Sequence, residues 1–296
     1  MKSLFLSTVA GLVFAVGASP MLAASSIDHH ASNSLKGDCD RACMAIIVDQ
    51  VLASMVATEN SHPAALGMMT AWRTVTEAGP PSLLAIDTTQ GSAYFALDVS
   101  EGSDTERSIL RGRVKVVNQE ITELELFINR YRGDHGFSFS AAELPSNYEA
   151  LMSPPDNRTK ASRAALTALS EALFATSSNM SVSVDDNCQF TEIGWKVIDT
   201  GTYNNETTTP LSCSWSSDHP TDENARVGLV IDEELGFVEA QNVWLNEVKA
   251  RGVKGLLAPT EATGEALEVL QYYNDALQAM QINVYMSGPN MTSAWL

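Results

Sequence analysis

The chain has 296 residues, 45% of them hydrophobic, and sets 18 Lys and Arg against 36 Asp and Glu for a formal charge of −18. That length suits two domains, each able to bury its own core. The charge repels nucleic acid and anionic membrane surfaces, which argues against both as partners, and it speaks to solubility more than to fold.

The chain opens with Lys2, an apolar run from Leu4 to Val16, then Ser19, Pro20 and small residues at Ala23 and Ala24, the order of a secretory signal peptide over residues 1–24. The run is well short of the roughly 20 apolar residues a membrane span needs. Export to the periplasm or medium follows as the expectation, with no membrane contact once the signal is removed. Residues 25–37 are polar, carry His29 and His30, and read as a loose leader.

A first domain is expected over residues 38–133. Cys43, Ile47, Val51 and Met55 recur at intervals of four and predict an amphipathic helix to about Ala57, capped by Asp38 or Asp40. Ala71 to Gly79 reads as a strand ending before Pro80 and Pro81, and Ser92 to Val99 as a second by alternation. Val114, Val116, Ile121, Leu124, Leu126 and Ile128 then alternate on either side of Asn118-Gln119, which predicts a β-hairpin over Arg111 to Arg130.

Residues 134–158, with Gly136, Pro145, Pro154 and Pro155, read as a linker into which Tyr148, Leu151 and Met152 pack. The order then restarts in a second domain over 159–286. Ser162, Leu166, Leu169, Leu173 and Phe174 predict a helix with Thr159 as its cap. Val184 leads into a strand through Cys188 and Glu192; Arg226 to Ile231 and Phe237 to Leu245 flank an acidic turn; and Ala266 to Met286 forms a second closing hairpin about Asn274-Asp275. Residues 287–296 form a tail. Arg41-Ala42 lies over Arg163-Ala164, and Thr76-Glu77 over Thr191-Glu192, as an internal duplication would have it. The fold class expected is α+β, with a curved antiparallel sheet wrapped around an N-terminal helix in each domain.

Four cysteines in an exported chain are expected to be oxidised, and four allow three connectivities. Pairing Cys188 with Cys213 would clip a loop rich in Gly, Thr and Asn. Cys39 and Cys43, four apart at a helix start, can bridge only if Cys39 lies at or before the cap. Metal binding there lacks a second ligand pair or a nearby histidine, so neither a metal nor a cofactor is expected.

Taken together, Cys39-Asp40-Arg41-Ala42-Cys43, the following Val48-Asp49-Gln50, the Thr76-Glu77 strand, the Asp232-Glu233-Glu234-Leu235-Gly236 turn and the segment from Met286 to Trp295 resemble an exported bacterial and fungal family of unknown function. That family is built from two cone-shaped domains similar to nuclear transport factor 2 and the SnoaL-type polyketide cyclases. The resemblance implies tandem cystatin-like α+β cones, each with a pocket, and a cysteine at the stages of Cys188 and Cys213. With the fold-back of the loop between them, a Cys188–Cys213 bridge is expected, which leaves Cys39 and Cys43 to form a local bridge at the helix start. The chain departs from the family at Gln189-Phe190 and Ile193, where an arginine and an asparagine are usual, and keeps only Arg226 of an arginine-rich segment.

Cones of this kind host isomerases, dehydratases and proteins without catalysis, so the fold alone does not choose. Glu77 and Glu192 are the candidate general bases, since a buried strand carboxyl is tuned towards neutral pH. The opposing reading makes them structural, paired with Arg41 and Arg163. Trp72, Trp195 and Arg226 are the candidate pocket residues, with Trp215 and Trp244 as further aromatics. No nucleophile elbow, zinc helix, phosphate loop or dinucleotide fingerprint occurs. The function expected is binding of a small apolar or aromatic ligand, with a cofactor-free lyase or isomerase as the alternative.

Overall fold

Both predicted hairpins form, and each closes a curled, largely antiparallel sheet in an α+β chain. A computed structural model describes residues 39–57, 74–102, 107–129, 140–174, 180–192, 195–196, 213, 215, 225–244 and 263–287. The expected signal peptide and leader, residues 245–262 and the expected tail beyond 287 lie outside the described residues.

The first half starts with α1 (Arg41–Ala57), where Met44, Ile47, Val48, Val51, Leu52 and Met55 are buried along one stripe. Asp40 caps it by accepting the amide of Cys43 at 2.8 Å, and Cys39 sits just before the cap, where it reaches Cys43 in a disulfide. Strands β1 (Glu77–Ala78), β2 (Leu83–Asp87), β3 (Ser92–Ser100), β4 (Ser108–Val117) and β5 (Glu120–Asn129) follow. Strands β1 and β2 both pair with β3, and the rest of the sheet runs β3-β4-β5. The expected strand over 71–79 is reduced to β1 among the described residues, and β2, beyond the two prolines, has no counterpart in the sequence reading. Its pattern Leu-Leu-Ala-Ile-Asp is buried almost throughout and so lacks the alternation that marks a half-exposed strand.

The expected linker contains α2 (Leu144–Met152), whose Leu144, Tyr148 and Leu151 are buried. Two turns between prolines give too short a pattern to read as a helix from sequence. The second half has α3 (Arg163–Phe174), β6 (Val184–Glu192), β7 (Trp195–Lys196), β8 (Arg226–Asp232), β9 (Phe237–Trp244), β10 (Thr263–Tyr273) and β11 (Ala276–Ser287), in the sheet order β7-β6-β11-β10-β9-β8. Here β6 pairs with β11 in parallel. Ser162, not Thr159, caps α3, its Oγ accepting the Ala165 amide at 3.2 Å; Thr159 instead donates its amide to Asn274 Oδ1 at 2.7 Å. Cys188 and Cys213 form the second disulfide.

The hairpins repeat each other closely. Asn118 and Gln119 take φ of 52° and 66°, and Asn274 and Asp275 take 53° and 56°, the left-handed pair that a two-residue turn requires. Each hairpin has a bulge just ahead of its turn, at Lys115/Val116 and at Gln271/Tyr272. The bulged amide of Val116 donates to Gly91 O at 2.7 Å, and that of Tyr272 to Gly236 O at 2.8 Å. Gly91 and Gly236 have φ of 65° and 68°, and a Cβ at either would collide with the carbonyl of Val116 or Tyr272.

Three apolar clusters separate the layers. One lies between α1 and the first sheet, another between α3 and the second sheet, and a third between the two sheets, with α2 packed into it. The halves are clasped by a crossed exchange. Arg41 at the start of α1 donates to Asp232 of the second half at 2.7 Å, and Asp232 also accepts the Ile86 amide at 2.7 Å. Reciprocally, Arg163 at the start of α3 donates to Asp87 of the first half through both terminal nitrogens, and Asp87 accepts the Ile231 amide at 3.1 Å. The remaining oxygen of each aspartate accepts amides of its own turn, from Thr89 and Gln90 or from Glu234 and Leu235. Pairing of Arg41 with Glu77 and of Arg163 with Glu192, expected if those glutamates were structural, is replaced by this exchange.

Candidate functional site

Register fixes which residues share a face. In the first half Phe95 on β3 lies opposite Gly112 on β4, which lies opposite Leu126 on β5. In the second half the equivalent row is Ala240 on β9, Glu268 on β10 and Ile282 on β11. Gly112 and Glu268 stand the same distance ahead of their turns, and Phe95 and Ala240 the same distance beyond Gly91 and Gly236. Both rows belong to the face that each sheet turns to its helix, since Phe95 and Leu126 pack with α1 residues, and Ala240 with Leu270 and Met280 packs with α3 residues.

The two rows are filled in opposite ways. A Cβ on Gly112 would overlap the Phe95 ring and come within 2.8 Å of Leu126, so the first half closes this position with an aromatic ring laid over a glycine. The second half puts a small residue opposite a carboxylate. Glu268 is only 8% exposed, has no charged partner among the described residues, and is raised by burial to a pKa of about 7. A carboxyl in this state exists as acid and anion in comparable amounts at neutral pH and can both donate and take a proton.

Glu192 ends β6 in register with Ile282, which is in turn in register with Glu268. Its backbone therefore stands two strands from Glu268, about 10 Å away, on one transverse row; its side chain lies outside the described residues. Glu77 is elsewhere. It sits on β1 against Ser100, with its side chain 73% exposed, accepts a hydrogen bond from Ser100 Oγ at 3.2 Å and lies 3.7 Å from Arg107. The two glutamates are not equivalent, because β1 borders β3 whereas β6 borders β11. The alignment of Thr76-Glu77 with Thr191-Glu192 thus gives way to one anchored on the hairpin turns.

Of the pocket candidates, Trp72 and the side chain of Trp195 lie outside the described residues, though the Trp195 backbone pairs with Glu192. Arg226 is half-buried at the start of the edge strand β8, in register with Gln241. Trp215 packs at the margin of the α3 cluster, beside the Cys188–Cys213 disulfide. The side chain of Trp244 is also outside the described residues.

Sequence reasoning missed Glu268, and the signal was present: a single carboxylate within the apolar strand Leu267 to Leu270. It also missed a charged network buried between the sheets. Arg113 donates to Glu125 in its own sheet, to Glu239 Oε1 of the second sheet at 3.4 Å and to Gln241 Oε1 at 3.2 Å. Arg113, Glu125 and Glu239 are all at most 2% exposed. Burial raises the Glu239 pKa, and the Arg113 charge opposes that rise. Nearby, Arg111 donates to Tyr148 Oη of α2 at 3.2 Å and to Asn129 Oδ1 at 2.7 Å.

No group of three or more metal-ligating side chains is assembled among the described residues, and none of their helices is long and apolar enough to cross a membrane. Comparison of the chain with protein-family models, with curated proteins and with solved structures finds no match.

Proposed function

We propose that this is an exported protein of two cone-like domains, related in fold to nuclear transport factor 2, which binds a small apolar or aromatic molecule in the second cone. The observation that carries the reading is the exchange of Phe95 over Gly112 for Ala240 beside Glu268 on equivalent rows. Where the first half sets a ring over a glycine, the second sets a methyl group beside a carboxyl, on the face packed with Leu173, Phe174, Phe190, Leu270 and Met280. Retaining a buried carboxyl there costs stability, and such a cost is characteristic of a site. Two disulfides accord with an oxidising setting outside the cytosol.

The test is to give the second cone the first cone's filling. The double variant Ala240→Phe, Glu268→Gly is expected to fold and to lose the thermal-shift and native-mass-spectrometric response to a panel of apolar aromatic compounds that the parent shows. An undiminished response would place binding elsewhere, and no response by the parent to any apolar compound would end the reading.

Glu268 also supports a second reading, a cofactor-free isomerase or lyase. A carboxylate held near neutrality in an apolar cone can remove a proton from carbon beside a carbonyl and return it to a neighbouring atom. Under this reading Glu268→Gln abolishes turnover while ligand affinity stays within a few-fold of the parent's. Glu192, on the same row, is then the residue to substitute next.

A further inference from the structure

We propose that the two sheets enclose a second site, on the faces turned away from α1 and α3, for a small neutral molecule whose edge carries a hydrogen-bond acceptor beside a donor, such as a carboxamide or lactam, read by Gln281. Across the inner face of the second sheet, register places Thr191 on β6, Gln281 on β11, Val269 on β10 and Glu239 on β9 in one row. Thr191 and Gln281 are each 1% exposed, and Glu239 is fully buried. Among the described residues, both polar atoms of the Gln281 amide, Thr191 Oγ1 and Glu239 Oε2 have no hydrogen-bond partner. More than about 90% of buried polar groups in native proteins are paired, so several unpaired groups along one row point to a partner other than the chain.

The same face shows what ordinary packing does with glutamines. Gln271 donates to Leu151 O and Leu235 O, both at 2.9 Å, and Gln189 donates to Asn147 O at 2.9 Å. Those residues lie where α2, and for Gln271 also the turn between β8 and β9, offer carbonyls. Gln281 belongs to the adjoining row, beyond these contacts, with the buried Val269 beside it as an apolar floor.

The chemistry of the row selects the ligand. An amide side chain presents one acceptor and one donor in a plane and pairs best with a group presenting the complementary edge. Glu239 and Gln281 are two strands apart, about 10 Å between backbones, which suits a small planar body lying over Val269 with polar atoms at each end. Arg113 is already matched by Glu125 and by Glu239 Oε1. An anion finds no free positive charge there, and a neutral ligand avoids the cost of burying a charge of either sign.

The experiment uses the full chain, with benzamide and 2-pyridone as probes and toluene as the apolar control. Millimolar benzamide or 2-pyridone is expected to raise the melting temperature by about 3 °C. In Gln281→Leu that rise disappears while any response to toluene is unchanged, and the variant by itself melts no lower than the parent, because it removes a buried amide with no hydrogen-bond partner among the described residues. Should Gln281→Leu fail to fold, Thr191→Val is read in the same way and is expected to weaken benzamide at least fivefold. The proposal is overturned if neither amide shifts the parent, if the shift survives in Gln281→Leu, if Thr191→Val binds benzamide as tightly as the parent, or if crystals grown with benzamide hold only water at Gln281.

Discussion

The two halves share their hairpin turns, bulges, glycine corners and clasping aspartates, yet they treat one pair of facing positions oppositely: Phe95 covers Gly112 in the first, and Ala240 leaves Glu268 in the second. The backbone rules are the same in both, so the difference lies in side chains alone. What it teaches is that the first half is packed for stability at this position, whereas the second keeps a carboxyl that burial penalises. A similar contrast appears on the inner faces, where Tyr94, Arg113 and Glu125 of the first half lie at positions matching Glu239, Val269 and Gln281 of the second. The cations of this inner network belong to the first half, and the carboxylate Glu239 that crosses to them belongs to the second.

The largest effect is expected at that crossing. Arg113→Met leaves Glu125 and Glu239 buried without their guanidinium, and breaking a buried pair in this way costs about 3–5 kcal/mol. Urea unfolding at neutral pH measures it. A loss below about 1 kcal/mol would mean that the two halves are held chiefly by the apolar cluster between them.

Glu268→Gln should act in the other direction. The folded pKa of Glu268 is raised from 4.5 to about 7, so its carboxyl contributes fully below the unfolded pKa, and that contribution is lost as pH rises through the folded value. The glutamine variant is therefore expected to be the more stable protein at pH 8, by about 3 kcal/mol, and to lose most of that advantage by pH 4. Paired urea titrations at the two pH values check it. Glu239 is also raised and adds a similar slope to both proteins, so the difference between them isolates Glu268. Equal pH slopes in parent and variant would remove Glu268 from the comparison.

The clasp offers a more even-handed test. Asp87→Ala and Asp232→Ala each delete an arginine partner, a cross-half amide acceptor and the acceptor of two turn amides. Each should cost about 2–3 kcal/mol, since hydrogen bonds from charged groups contribute more than neutral ones. Near-equal losses in thermal or chemical unfolding support the pseudo-symmetric exchange, and a loss confined to one variant contradicts it.

The smallest expected effect is at Gly112. Gly112→Ala forces the Phe95 ring to shift and should cost about 1–2 kcal/mol. The counterpart Glu268→Ala, which removes a carboxyl that burial penalises, should cost nothing at pH 8. Melting curves of the two alanine variants show directly whether the two halves differ at this position.

The hairpins were legible because a two-residue turn with positive φ between alternating strands is a local feature, carried by Asn118-Gln119 and Asn274-Asp275 themselves. Helices α1 and α3 were legible for the same reason, through stripes of period near four. Strand β2 and helix α2 were not. The first is buried too completely to alternate, and the second is too short to repeat.

The partners of charged residues were the least legible. Arg41 and Arg163 do align, as the duplication suggested, but their carboxylates come from the opposite half, 191 and 76 residues away in sequence. Nothing in local pattern distinguishes Asp87 and Asp232 from Glu77 and Glu192 as acceptors. That choice depends on which strands abut when the two sheets pack. The sequence determined by itself the turns, the periodic helices and the presence of a carboxylate at Glu268 between apolar neighbours, because each is fixed by residues close along the chain. Only the tertiary structure decided that Glu268 is buried opposite Ala240 on the face turned to α3, that Arg113 reaches across to Glu239, and that Gln281 is buried without a hydrogen-bond partner among the described residues. Burial and pairing are properties of neighbours brought together by folding, and those neighbours come from remote parts of the chain.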